Sequence, residues 1–139
     1  MLGVKRSRNE EAYTVTTEAS PGAVEVLGCL MAKEGISLRP VPYDVVRLGG
    51  GKPTLYGEAA ATRHVGMLVP AADLLEDAKL TRLLDFRDTL ADRPDLINGK
   101  VFFLIDGHVA ASQHEAIERL KWDPFGQNRY VVRCWSPEG

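Results

Sequence analysis

KVFFLI, the segment from Lys100 to Ile105, is apolar at every position after its first residue. A short apolar run that is rich in branched and aromatic residues is typical of a strand with both faces covered, as in the middle of a sheet that carries helices on both sides. We therefore expect an α/β fold in which this segment is a central strand.

The sequence on both sides of this strand predicts helices. Residues 70–91 place leucines at helical spacing, and a slip in phase near residues 77–80 predicts two helices or one broken helix. The residues EAAATRH, from Glu58 to His64, favour a helical turn, so we expect a helical insertion over residues 58–93. After the strand, Asp106-Gly107 predicts a hairpin turn into a short strand at residues 108–111, followed by a helix at residues 113–121.

The amino-terminal part predicts a strand, a helix and an extended segment. Residues 1–11 are polar and are expected to be flexible, and residues 12–17 alternate as a strand does. A helix is expected over residues 21–34, and residues 36–46 are expected to be extended. This order of elements is thioredoxin-like: a βαβ unit, the insertion and a ββα unit form one domain at residues 12–121, and residues 129–135 add a C-terminal strand.

Composition excludes several classes of protein. The chain has 139 residues, 45% of them hydrophobic, and a net charge of -2 from 17 basic and 19 acidic side chains. No apolar run is long enough to cross a membrane, and the excess of positive charge typical of a nucleic-acid-binding protein is missing. The two cysteines, Cys29 and Cys134, lack CxxC spacing, which fits a reducing compartment, and we expect a cytoplasmic protein.

The carboxyl-terminal half resembles that of arsenate reductases and Spx-type proteins. The resemblance rests on residues 91–101 (ADRPDLINGKV), the Asp106-Gly107 turn and the helix at residues 115–120. The amino-terminal half is similar in residues 30–36 (LMAKEGI) and in Tyr43-Asp44, so that the resemblance covers residues 12–121. It implies a thioredoxin-like fold.

Two departures from this family argue against its reductase activity. The family's catalytic cysteine lies at the start of the first helix, where this chain reads Ala19-Ser20-Pro21-Gly22. A serine hydroxyl cannot replace a thiolate in thiol exchange. The family's Arg-Pro pair is matched here by Gly99-Lys100. The resemblance therefore implies the fold without the chemistry.

Other candidate chemical groups have simpler structural explanations. Ser20 is expected to cap the first helix rather than to act as a nucleophile, since no G-x-S-x-G motif surrounds it. Cys29 is expected to be a small buried residue on the apolar face of that helix. The spacing of His64, His108 and His114 matches no zinc pattern, so we expect no metal and no cofactor.

The carboxyl-terminal residues 122–139 form an aromatic segment, which we expect to be an appendage of the domain. Aromatic side chains often anchor interfaces, although packing against the domain's own sheet explains them equally well. Ser20 and Gly22, at the start of the first helix, are a second place for a partner. The candidate binding residues are therefore Trp122, Phe125, Tyr130, Trp135, Ser20 and Gly22.

The sequence favours a non-catalytic protein-interaction or regulatory protein on an arsenate-reductase-like thioredoxin scaffold. Its partner is then expected to be a protein, with no direct contact to nucleic acid or membrane. Two alternatives stay open. One is a thiol- or glutathione-dependent oxidoreductase with Cys29 or Cys134 as an atypical nucleophile. The other is a small structural subunit of a larger assembly.

Overall fold

The fold is that of a computed structural model, which describes residues 13–14, 20, 22–48 and 54–137. The described residues form an α/β unit with a mixed sheet and helices on both of its faces. The strands are β1 (Tyr13–Thr14), β2 (Ser37–Arg39), β3 (Thr54–Ala59), β4 (Thr62–Pro70), β5 (Val101–Asp106) and β6 (Tyr130–Trp135). The helices are α1 (Ala23–Ala32), α2 (Tyr43–Leu48), α3 (Asp77–Asp92) and α4 (His114–Lys121). The expected flexible segment 1–11 and most of the expected strand at 12–17 lie outside the described residues.

The sheet is antiparallel on one side and parallel on the other. Strands β1 and β2 both pair antiparallel with β3, β1 at residues 54–55 and β2 at residues 56–58. Strand β3 pairs antiparallel with β4, whereas β4, β5 and β6 are parallel neighbours. Parallel neighbours need a crossover, and α3 and α4 supply the two crossovers.

The prediction that KVFFLI forms a central strand is confirmed. Strand β5 lies between β4 and β6, and residues Val101 to Ile105 are buried. Phe102 and Leu104 belong to the hydrophobic cluster that includes Leu27 and Met31 of α1. Phe103 and Ile105 belong to the other cluster, which includes residues of α3 and α4. Helices therefore cover both faces of β5, as the apolar character of both faces predicts.

Two predictions in the amino-terminal half are wrong. The expected extended segment at residues 36–46 is a strand only at Ser37–Arg39, and α2 begins directly after Pro42. The Pro42 carbonyl accepts the N–H of Val45, so the proline precedes a helix, where its missing N–H costs nothing. The expected helical turn at residues 58–64 is the turn of the β3–β4 hairpin. The expected insertion over residues 58–93 is therefore helical only from residue 71.

The rest of that insertion agrees with its sequence pattern. A 3-10 turn at Ala71–Leu75 precedes α3, and the break between them lies at Glu76. The slip in phase that predicted a broken helix therefore marks a real interruption. The turn also ends strand β4 at Pro70 and leads the chain from the sheet into the α3 layer.

The expected return strand at residues 108–111 is not formed. Gly107 has a φ of 125°, a backbone conformation that residues with a side chain rarely adopt. At this residue the chain turns away from the sheet. The buried Gln113 then fixes the loop, because its Oε1 accepts the Ala110 N–H (2.7 Å) and its Nε2 donates to the Ala71 carbonyl (2.6 Å). The neighbour of β5 on this side is the parallel strand β6, so the antiparallel ββα unit expected at residues 100–121 is not formed.

Strand β6 is the added C-terminal strand that the sequence predicts, but it is not an appendage. Tyr130 and Val132 are buried in the cluster that includes α3 and α4. The buried Arg87 of α3 lies 4.8 Å from the centre of the Tyr130 ring, and it donates to the Arg119 and Leu120 carbonyls (2.7 and 3.1 Å) at the end of α4. Tyr130 and Val132 of β6 are therefore part of the core, contrary to the expectation that residues 122–139 form an appendage.

Candidate functional site

The carboxyl ends of the three parallel strands β4, β5 and β6 lie together along one border of the sheet, which we call the carboxyl edge. Pro70 of β4 is paired with Asp106 of β5, and Asp106 is paired with Trp135 of β6. Ser20, just before α1, is hydrogen-bonded to Asp106 at the same edge. In open α/β sheets, ligands bind in the crevice outside the carboxyl ends of the strands. This edge is therefore the first place to examine for function.

Asp106 is the most unusual polar group at this edge. Its Oδ2 accepts the backbone N–H of Ser20 at 2.8 Å. Its Oδ1 is buried, and no group in the described part of the chain donates to it. A buried acceptor without a donor costs free energy, so such groups are rare in folded proteins and often mark a site.

A crevice of about 430 Å³ begins at Gly107, the residue after Asp106, and lies between the loop after β5, helix α4 and the end of β6. The Gly107 N–H donates to the Trp135 carbonyl (2.8 Å), which joins the loop to the strand. The lining combines two imidazoles, a thiol and a hydroxyl with apolar groups: Gly107, His108, Val109, His114, Ile117, Cys134, Trp135 and Ser136. The volume suits a small molecule or a side chain of a partner.

The side chains that line this crevice can form hydrogen bonds and apolar contacts. No group of three or more His, Cys, Asp or Glu side chains within the described ranges is placed to hold a metal ion. Cys134 is a free, exposed thiol in a strand, and it is not at the start of a helix, where a thiolate would be stabilised. In those same ranges, no helix has both the length and the apolar character that crossing a bilayer requires.

Three of the six residues predicted for binding come together at this edge. Ser20 is bonded to Asp106, and a Cβ added to Gly22 would lie 3.6 Å from Cη2 of Trp135. The indole of Trp135 thus lies beside the start of α1. The predicted cap is wrong: α1 has Gly22 as its N-cap, with no side-chain capping bond, and Ser20 contributes its carbonyl to the Ala23 N–H (3.0 Å).

The other predicted binding residues lie near the opposite end of β6. Trp122 and Phe125, in the loop between α4 and β6, are 63% and 75% exposed. Tyr130 is buried, and burial raises its pKa, so it serves the core rather than a binding surface. A six-residue strand spans about 20 Å, so the four aromatic residues do not form one patch.

The loop that carries the two exposed aromatic residues is held by Asp123. Its carboxylate accepts the N–H of Phe125 (3.0 Å) and the N–H of Arg129 (3.3 Å). Burial raises the pKa of Asp123, but these backbone hydrogen bonds outweigh burial and hold the pKa below its usual range. The exposed rings of Trp122 and Phe125 are thus attached to an ordered turn.

A further feature of this surface is the free edge of β6, by which we mean the long side of the strand that faces away from β5. The Val101 N–H donates to the Arg129 carbonyl and the Gly107 N–H to the Trp135 carbonyl, so the odd-numbered residues of β6 are bonded to β5. In a parallel ladder, the peptide groups of the residues between them point away from β5. These outward residues are Tyr130, Val132 and Cys134, and no strand in the described part of the chain pairs with them.

The thiols lie apart on opposite sides of the sheet. Cys134 lines the crevice next to α4, whereas Cys29 is on α1, which covers the other face. The expectation that Cys29 is buried is wrong, because Ala23, Leu27 and Met31 are the buried positions of α1 and Cys29 is exposed. At 100° per residue, a position two residues beyond Leu27 lies on the far side of the helix.

The sequence does not predict the crevice, because Asp106-Gly107 is typical of a hairpin turn. His108, His114 and Cys134 are distant along the chain, and only the parallel order of β5 and β6 brings them together. A usable signal was present, namely polar residues directly after an apolar strand that has helical sequence on both sides. Comparisons with protein-family models, with curated proteins and with solved structures found no match for the chain.

Proposed function

We propose that the chain is a non-catalytic protein-interaction protein that binds an extended segment of a partner protein along β6. The carrying observation is that no strand in the described part of the chain pairs with the side of β6 toward which the peptide groups of Tyr130, Val132 and Cys134 point. The Val132 carbonyl accepts a hydrogen bond from Nη1 of Arg133 there (3.2 Å), which a partner strand would replace. An extended segment that adds to such an edge gains main-chain hydrogen bonds along its length. The partner would become the next strand of the sheet.

Features at both ends of β6 support this proposal. At its start, Trp122 and Phe125 expose large apolar surfaces on a turn that Asp123 holds in place. Aromatic groups that are ordered before binding lose little conformational freedom when a partner covers them. At the other end, the crevice beside Cys134 and Ile117 accepts a side chain of the added strand. Main-chain pairing supplies affinity, and the two ends supply selectivity.

The scaffold is an α/β unit, and a thioredoxin-like relationship remains our interpretation of its sequence. In the described part of the chain, β1 and β2 both pair antiparallel with β3 and not with each other, so the pairing of these strands differs from the βαβ unit of that interpretation. The parallel pairing of β6 with β5 is an addition to it. In this proposal, a regulatory role means that the protein acts by binding its partner and not by catalysing a reaction.

The experiment uses proline at an outward-facing position. Cys134→Pro removes an N–H that points away from β5, and an edge strand tolerates proline there. Cys134→Ser is the matched control, since it keeps the N–H and removes only the thiol. Extended peptides selected from a displayed library against the natural chain supply the ligands. Fluorescence anisotropy then gives their dissociation constants for all three proteins.

We expect Cys134→Pro to weaken binding by about tenfold or more, and Cys134→Ser to leave it nearly unchanged. Selected peptides should also slow hydrogen exchange at the Val132 and Cys134 amides of the natural chain. Equal affinity of all three proteins, with unchanged exchange, would show that the edge is not used. Thermal unfolding of Cys134→Pro checks that the variant is folded.

A second candidate function is thiol-dependent chemistry at Cys134. The observation in its favour is that this exposed thiol lines the same crevice as His108 and His114. Alkylation of the natural chain by iodoacetamide at neutral pH, compared with the unfolded chain, measures whether the thiol is activated. Turnover of a disulfide or glutathione substrate that Cys134→Ser abolishes would favour this enzyme over the binding protein.

A further inference from the structure

A second cavity, of about 400 Å³, lies at the other edge of the sheet, where β5 and β6 begin. We call it the amino-edge cavity, and its polar lining is Asn98, Gly99, Lys100, Gln127 and Arg129. Two of these side chains are cationic and two are carboxamides, whereas no carboxylate is among the lining residues. Its apolar wall includes Ile97, which belongs to the core. The residues proposed to contact the protein partner, Trp122, Phe125 and the outer side of β6, are not among those that line this cavity.

Arg129 is held in a fixed orientation at this cavity. Its Nε donates to the Gly99 carbonyl (3.3 Å), and its backbone N–H donates to the Asp123 carboxylate (3.3 Å). The guanidinium group also lies 5.9 Å from the centre of the Tyr130 ring. With Nε committed to Gly99, the two Nη groups are the part of the guanidinium that an oxyanion can reach. Such a planar pair of donors fits carboxylate and phosphate oxygens.

Asn98 also lines this cavity. Its Oδ1 accepts the Arg63 N–H (2.6 Å), which leaves Nδ2 for another partner. The adjoining Gly99 is packed so tightly that an added Cβ would lie 2.4 Å from Cε1 of His64. The Lys100 N–H donates to Nδ1 of His64 (2.9 Å). The loop that carries these donors is thus fixed against the β3–β4 hairpin.

The nearby carboxylates do not occupy the cavity. Asp123 accepts hydrogen bonds from the backbone of its own loop, and its charge also interacts with that of Arg129. Asp95 forms an ion pair with Arg93 at 2.8 Å. Glu34 lies 3.0 Å from Lys100, but both side chains are about 40% exposed. An ion pair in such a position contributes little, so the ammonium group can be shared with a ligand.

We propose that the amino-edge cavity binds a small molecule that carries an oxyanion, a phosphate or a carboxylate group. Arg129 supplies a pair of donors, Asn98 and Gln127 supply amide N–H groups, and Lys100 supplies a second positive charge. The cavity is within the size range of small-ligand sites. Its cationic lining selects an anion, and its apolar wall accommodates the carbon part of the molecule.

The experiment is a titration of the full chain, followed by nitrogen–proton NMR, with inorganic phosphate, glycerol 2-phosphate or succinate at constant ionic strength set by chloride. Saturable binding should shift the side-chain amide signals of Asn98 and Gln127. The phosphate and succinate arms distinguish the two kinds of oxyanion. Chloride alone measures what charge screening contributes.

Variants make the assignment specific. Arg129→Gln should weaken binding by about tenfold or more, because a charge-assisted pair of hydrogen bonds is lost. Arg133→Gln is the matched control, since it removes an exposed arginine of β6 that does not line the cavity and whose Nη1 donates to the Val132 carbonyl (3.2 Å). If Arg129→Gln does not fold, Lys100→Gln replaces it, with a loss of affinity again expected.

Three results would overturn the proposal. The first is the absence of saturable binding of either oxyanion below about 10 mM. The second is an equal loss of affinity in Arg133→Gln and in the cavity variant. The third is binding of a single-stranded oligonucleotide with no response to the small anions, which would indicate a nucleic-acid surface. None of these results would bear on the binding of a partner segment along β6, which has its own variants.

Discussion

Gly28 and Gly57 differ in whether the structure has space for a methyl group at the position of the missing side chain. Gly28 lies within α1, and an added Cβ would be in ordinary contact, 3.6 Å from Cδ1 of Leu38. Gly57 lies in β3, where an added Cβ would be 2.3 Å from Cγ2 of Ile36 and 2.8 Å from the Ser37 carbonyl oxygen. Space for a methyl group exists at the first position and is missing at the second.

We therefore predict opposite effects of alanine at these positions. Gly28→Ala should raise the free energy of unfolding by about 0.5–1 kcal/mol, because glycine in a helix interior is unfavourable relative to alanine. Gly57→Ala should lower it by about 1–3 kcal/mol, since backbone atoms of β2 would have to move. Urea unfolding of both variants measures these changes in the free energy of unfolding. A change of the same sign in both variants would contradict the packing described.

His64 makes stability depend on pH. Burial is the main reason that its pKa is below the ordinary value of 6.5; the Lys100 charge lowers it further, and Glu34 opposes both. Its Nδ1 accepts the Lys100 N–H, which requires that nitrogen to be unprotonated. The folded state therefore binds a proton less readily than the unfolded state. The stabilising effect is complete above pH 6.5 and is lost as the pH falls toward the folded pKa.

Accordingly, the free energy of unfolding should fall between pH 7 and pH 5, and His64→Asn should reduce that slope. Asparagine keeps an acceptor for the Lys100 N–H but does not titrate. The difference in slope between the two proteins isolates His64 from the other histidines and the carboxylates. Identical slopes would mean that protonation of His64 does not differ between the folded and unfolded states.

At the scale of elements, the sequence predicts best where burial alone selects the structure. Strand β5, helix α4 and strand β6 follow from apolar periodicity, and all three are present. The β3–β4 turn could not be predicted in this way, because its central residues Ala60 and Ala61 favour helix. They adopt φ values of 50° and 70°. Pairing along two long strands outweighs the local preference of two alanines.

That turn offers a stabilising substitution. Left-handed backbone costs a non-glycine residue about 1–2 kcal/mol, and Asn-Gly is the preferred pair in two-residue hairpin turns. Replacing Ala60 with Asn and Ala61 with Gly should therefore raise the free energy of unfolding by about 1–2 kcal/mol. Ala60→Val, which worsens the strain, should lower it. A gain from valine would refute this explanation of the turn.

The candidate site can be predicted only in part from the sequence, because local sequence patterns do not determine which distant residues meet in the fold. Ser20, Gly22 and Trp135 were selected from the sequence, but their meeting with Asp106 depends on which strands are neighbours. Strand order is a non-local property that periodicity does not carry. The aromatic tail shows the limit most clearly, since Tyr130 faces the core while Phe125 is exposed.

At the scale of the whole molecule, we predict that the chain needs β6 in order to fold. Its removal would uncover the cluster that holds Tyr130 and Val132, and Arg87 would lose the ring beside its guanidinium group. A chain that ends at Lys121 should therefore lose its cooperative unfolding transition and its near-ultraviolet circular dichroism. A chain that ends at Pro137 is the control and should unfold like the natural chain. Cooperative unfolding of the shorter chain would show that β6 is dispensable.

The central position of β5 also governs the order in which the chain can fold during its synthesis. Phe102 contributes to the cluster under α1, and Phe103 contributes to the cluster under α3. Synthesis proceeds from the amino terminus, so α1, the β3–β4 hairpin and α3 all leave the ribosome before the strand that completes their cores. Until Val101–Asp106 has emerged, the nascent chain exposes two apolar layers at once, and chaperones that hold such surfaces would bind it during this interval.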